Sequence, residues 1–123
     1  SISAPTPPAN SFAAAAAVRG KVLFAGKGQC ASCHSGPLFT DVIFGGKLHP
    51  QSASVAVDKD YVKRSATKQW RVTPLKGIWQ HPPYFHDGSA KTLGDVVTRY
   101  NQVNNLRLSD AEKFDLTEYL KSL

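Results

Sequence analysis

The chain has 123 residues, a formal net charge of +6, eight prolines, nine glycines, two cysteines and no methionine. This length supports one domain, with a core modest enough to need a staple or a prosthetic group. No apolar run reaches the ~20 residues of a membrane span. The basic balance attracts anions, acidic protein faces or nucleic acid, but no nucleic-acid motif and no aromatic–basic interleaving is present, so nucleic acid is not expected as a partner.

Residues 1–10, "SISAPTPPAN", are rich in proline and serine and lack periodicity, which reads as a tail or linker ahead of a domain spanning 11–123. The start lacks a basic region followed by a long apolar stretch, so either a signal peptide has been removed or the domain is cut from something longer. A first helix is expected from a cap at Asn10 or Ser11, running through "FAAAAAVRGKVLFAG" and stopping at Gly26 or Gly28. From Gly36 to Gln69 turn signals dominate, with one short extended piece expected at Ser54 to Val57. A loop of that length inside a compact domain is uncommon unless it wraps something. The next block, "TPLKGIWQHPPYFHDGSA", is punctuated by prolines and reads as a second wrapped loop. A helix then starts near Thr92, with Leu93, Val96, Val97 and Tyr100 on one face. Ser109 to Glu112, "SDAE", is a capping box that opens the last helix, whose buried stripe is Leu116, Tyr119, Leu120 and Leu123. The fold class expected is therefore all-α with long loops.

"CASCH", residues 30–34, carries the chemistry. A redox dithiol of the thioredoxin type would follow a strand in an alternating strand–helix pattern, whereas this pair follows an alanine-rich helix. A structural zinc site needs four ligands, usually from two such pairs, and the second pair is missing. Covalent haem needs only what is present: Cys30 and Cys33 to form thioethers with the two vinyl groups, and His34 to reach the iron from the proximal side.

With those residues in view, "RGKVLFAGKGQCASCHSGPLFTD", "WRVTPLKGIWQHPPYFHDGSAKTLGDVVTRYN" and "LSDAEKFDLTEYLKSL" resemble the C-terminal haem domain of the bacterial dihaem cytochrome c peroxidase family over roughly residues 19–123. The pentapeptide alone marks any c-type cytochrome; the "TPLKGIWQHPPYFHDGSAKTL" block is the specific part. The resemblance implies a class I cytochrome c-like fold, a few helices wrapped around one covalent haem. It also implies an N-terminal helix crossing the C-terminal one at Gly20, with Phe24 near Leu116 and Tyr119. The family's peroxidases carry two haems and this chain has one motif, so the implied role is that of the electron-relaying haem and not of the reactive one.

The absence of methionine removes the commonest sixth ligand. In the resembling family the axial residue lies fourteen positions after the histidine of "PYFHDG", and fourteen after His86 is Tyr100. Tyr100 shares its helix face with the apolar residues above, though a buried tyrosine with a bonded hydroxyl has the same signature. His86 is the alternative, since neutral imidazole is a better general ligand than a phenol of pKa near ~10; in the family the matching histidine usually stands beside the haem. His81 and His49 rank below both, and a lysine, water or an open position complete the alternatives. Arg71 is placed by the resemblance where an arginine meets haem propionates, a bidentate pairing that suits it. Trp79 joins the expected haem contacts, and Trp70 reads as core. Either axial pair lacks methionine and so implies a low-potential haem.

The leading functional reading is single-haem electron transfer, with a basic face (Lys59, Lys63, Arg64, Lys68, Arg71, Lys76) for an acidic redox partner. The alternatives are the haem domain of a larger peroxidase- or oxygenase-type enzyme, reached through the proline-rich linker, and a haem-based sensor with a weak sixth ligand. The linker could equally lead to a membrane anchor. Thioether attachment takes place outside the cytoplasm, which implies the periplasm or an equivalent compartment.

Overall fold

The computed structural model describes residues 3–42, 47–50, 55–58 and 60–123. Among these are three α-helices, α1 (Ala14–Ala25), α2 (Leu93–Asn104) and α3 (Asp110–Lys121), and two short strands, β1 (Leu48–Pro50) and β2 (Gln69–Arg71). The strands pair antiparallel, with His49 opposite Trp70. The expected helices and long loops are present, and the all-α expectation is corrected by the addition of a small two-stranded ribbon. The extended piece expected at Ser54 to Val57 is not a strand where it is described: Ser54 lies outside the described residues, and Val55 and Ala56 are buried without strand structure. Strands form where a partner edge is available, and β-propensity alone did not decide the place.

The start of α1 also differs from its sequence expectation. Asn10 has φ 63° and so stands in the left-handed region, not in the extended conformation an N-cap needs. The helix begins three residues after Ser11, and its cap position, Ala13, has no capping side chain. Its backbone N–H donates instead to Glu118 Oε1 at 3.2 Å, a carboxylate supplied by α3. The other two starts follow the local rule: Thr92 with Asp95, and Ser109 with Glu112, form reciprocal capping boxes.

Helices α1 and α3 cross at Gly20. A Cβ at that position would stand 2.0 Å from the Asp115 carbonyl oxygen and 2.7 Å from Tyr119 Cβ. One turn on, Phe24 meets the Tyr119 ring edge-on at 5.3 Å and the Phe39 ring at 5.8 Å. Leu116, Tyr119, Leu120 and Leu123 are all buried, and Leu93 and Val97 of α2 join them in one core. Val96 and Tyr100 pack against its margin, half-buried. Among the described residues no helix is long and apolar enough to cross a membrane.

Candidate functional site

Helix α1 stops so that the cysteine motif can fold back beneath it. Gly28 N–H donates to Leu23 O at 2.7 Å, and a Cβ on Gly28 would stand 2.8 Å from that same oxygen, so only glycine makes this return without displacement. A single 3₁₀ turn, Cys30–Ser32, follows; the N–H groups of Cys33 and His34 both donate to Cys30 O, at 3.3 and 2.9 Å. The Cys30 thiol lies 3.3 Å from Gly28 O, and burial pushes it up to about 11, so it remains a neutral thiol.

The His34 ring meets backbone carbonyls, those of Phe39 and Thr73. Its Nδ1 lies 2.9 Å from the Phe39 carbonyl oxygen. A carbonyl only accepts, so in the neutral ring Nδ1 carries the proton and Nε2 the lone pair. Burial lowers the pKa of the ring, against the opposing pull of the Phe39 carbonyl and Asp41, and holds the imidazole neutral. The carbonyl is itself aimed: Phe39 has φ 57°, Thr40 N–H donates to Ser35 O at 2.9 Å, and Thr40 Oγ1 donates to Val72 O at 2.6 Å. Sequence reading missed Phe39 and Asp41 because neither side chain is a haem ligand. The available signal was their position in "GPLFTD", directly after the motif.

Tyr100 lies within electrostatic reach of both cysteines. Burial first, and then the fields of Cys30 and Cys33, push its phenol up to about 12. Its ring lies 6.1 Å from that of Phe85. His86 is placed otherwise: its ring is 4.7 Å from the Trp70 ring, and its Nε2 is 3.7 Å from Asp58 Oδ2. Arg71, on β2, borders a cavity of about 210 Å³ lined also by Leu38, Thr40 and Val72. Trp79 sits in the turn Ile78–Gln80, and among the described residues its buried indole N–H has no partner. His81 ends that turn and is exposed. His49 pairs with Asp41 at 2.8 Å.

This set fits a c-type haem. Cys30 is a neutral thiol, His34 offers an imidazole whose Nε2 is unprotonated when Nδ1 donates to Phe39, and the Trp79 N–H lacks, among the described residues, the acceptor that a buried donor normally has.

No protein-family model matches the chain. Cytochrome-c peroxidase IdrP1 of Denitromonas iodatirespirans is 27% identical over 151 residues, a match covering 89% of this chain and 40% of that protein. Methylamine utilization protein MauG of Methylorubrum extorquens is 31% identical over 131 residues, covering 87% of this chain and 34% of MauG. The chain is thus similar to proteins named as cytochrome c peroxidases and as MauG. It spans about two fifths or less of these peroxidase-family relatives. A solved structure, of a MauG-like protein associated with microbial copper homeostasis, superposes with a TM-score of 0.64 at 22% identity over 94% of this chain and 48% of that one. That likeness shows a shared fold.

Proposed function

We propose that the chain is an electron-transfer domain holding one covalent haem, with Cys30 and Cys33 as thioethers, His34 Nε2 as the proximal ligand and Tyr100 as the ligand on the far side. The observation that carries this is the His34 contact: its Nδ1 donates to the Phe39 carbonyl, in the same short stretch as both cysteines, which leaves Nε2 as the unprotonated nitrogen. When bound, the haem supplies a one-electron couple. The chain's own part is to orient the imidazole through Phe39, to exclude water with Phe24, Phe85 and the buried face of α2, and to offer the Trp79 and Arg71 donors to haem carboxylates. No methionine is available to raise the potential, so the couple is a low one. Attachment of this kind implies a periplasmic or equivalent compartment, and the basic face implies an acidic redox partner.

A second reading has its own support. The relatives are named as peroxidases and as MauG, and this chain spans less than half of each. In that reading the chain is the electron-relaying part of a larger peroxidase-type enzyme. Mass spectrometry of denatured, matured protein tests the first step of both: one haem must remain attached, and a mass equal to the bare polypeptide ends the reading. Peroxide turnover by the isolated chain would favour the enzyme; its absence together with rapid reduction by a protein donor would favour the carrier.

A further inference from the structure

Asp41 and His49 have no part in the function proposed above, yet the chain buries them together. Asp41 Oδ2 and His49 Nε2 are 2.8 Å apart, and the two side chains are only 10% and 15% exposed. Lys47 reaches the same oxygen only at 4.0 Å and is largely in solvent. The other oxygen, Oδ1, is buried and has no partner among the described residues. A carboxylate left half-satisfied away from water is costly, so its position calls for an explanation.

That position is at the haem-binding motif. One donor atom each from Cys33, Asp41 and His49 lie within 4.8 Å of one another. Asp41 also comes two residues after Phe39, whose carbonyl holds the His34 ring, and its field acts on that ring. With Cys33 as a free thiol the three could be read as a metal cage. As a thioether Cys33 is no longer an anionic ligand, and the Asp41 carboxylate remains beside the motif, bonded to His49.

We propose that Asp41, held in place by His49, is a positioning residue that biases the couple toward ferric iron by keeping a buried carboxylate beside His34. This rests on the haem reading above. A negative charge near the proximal imidazole favours the oxidation state with the extra positive charge, and a buried charge is screened far less than an exposed one. The His49 ring completes the device by donating to Oδ2, which fixes the carboxylate's direction.

The test is potentiometry of the haem-loaded protein with absorbance recorded throughout. In Asp41→Asn, which keeps shape and loses charge, the ferric-to-ferrous ratio at a fixed ambient potential should fall about tenfold, an upward shift of ~59 mV for a one-electron couple. Asp41→Glu should return most of that shift. His49→Gln, which still offers the carboxylate a donor, should leave the midpoint near that of the parent. An unchanged midpoint in Asp41→Asn with a parental spectrum and melting temperature overturns the proposal. So does loss of haem from both Asp41→Asn and Asp41→Ser, because the carboxylate would then serve folding. If the parent itself retains no haem, the haem reading fails as well, and the mass spectrum distinguishes that case from the other two.

Discussion

Gly20 lies flat against the carbonyl of Asp115, and the closeness of α1 and α3 depends on it. An added Cβ would fall 2.0 Å from that oxygen, well inside any real contact, and the obstacle is backbone and not a flexible side-chain end. The contact sits one turn from the Phe24–Tyr119 ring pair, so forcing the helices apart opens the core beside the cysteine motif. Gly20→Ala should therefore destabilise the protein by about 1–3 kcal/mol, the usual cost of overpacking, even though alanine is the better helix former. Thermal unfolding followed by circular dichroism checks this. An unchanged or raised melting temperature would mean that the crossing is looser than described.

The loop carrying His86 is held by a carboxylate. Asp87 accepts from Asp58 N–H at 2.8 Å and from Ser89 N–H at 3.0 Å. Burial pushes its pKa up, but these bonds and the neighbouring His86 outweigh it and hold the carboxyl at about 2. A depressed carboxylate pKa means that the unfolded chain binds the extra proton first. The stabilisation is present above the unfolded value near ~3.9 and is lost as pH falls toward about 2. Asp87→Asn should be less stable than the parent at pH 7, and the two stability curves should converge below pH ~2. Urea unfolding at a series of pH values measures it, and a constant difference across that range would remove Asp87 from the account.

Much of this architecture was readable because it depends on local rules. The Ser109 box, the Leu116–Leu123 stripe and the α2 face are each set by residues within one or two turns. Features set by distant partners were not readable. The cap of α1 comes from Glu118, which is 105 positions away in sequence. The strands β1 and β2 exist because His49 and Trp70 come opposite each other across the intervening loop, which no period of two in the sequence announces. At the site, the candidate ligands proposed above come from "CASCH" and the missing methionine, both read directly from the sequence. The orienting carbonyl of Phe39 was not legible there, because any residue supplies a carbonyl and only its left-handed φ aims this one.

Docking to an acidic partner should show in its salt dependence. Lys63, Arg64, Lys68, Arg71 and Lys76 are exposed in and around β2, while Lys59 lies outside the described residues. Lys63 is drawn to Asp60 at 2.6 Å, an exposed pair that leaves the local excess positive. Electron transfer to an acidic protein should slow several-fold between low salt and ~0.15 M, where screening acts over about 8 Å. Lys76→Glu and Arg71→Glu should flatten that dependence. Stopped-flow rates at graded ionic strength decide the matter, and a rate indifferent to salt would take the basic face out of the proposal.

The far side of the iron gives the sharpest contrast between two residues. Tyr100 is coupled to both cysteines, whereas His86 is occupied by the Trp70 ring at 4.7 Å and by Asp58 at 3.7 Å. The Tyr100 phenol is pushed up to about 12, first by burial and then by the cysteine charges that thioether formation would remove. Ionisation is thus costly unless a ferric centre pays for it, and phenolate character should appear in the oxidised protein and weaken on reduction. Tyr100→Phe should abolish that character, raise the midpoint potential and admit cyanide to the ferric site. His86→Ala should leave the ferric spectrum unchanged while lowering thermal stability through the lost Trp70 and Asp58 contacts. The opposite pattern, with Tyr100→Phe silent and His86→Ala opening the site, would assign the ligand to His86. Electron paramagnetic resonance of the two variants beside the parent separates these outcomes, and a parent already open to cyanide would turn the choice toward the enzyme or sensor readings.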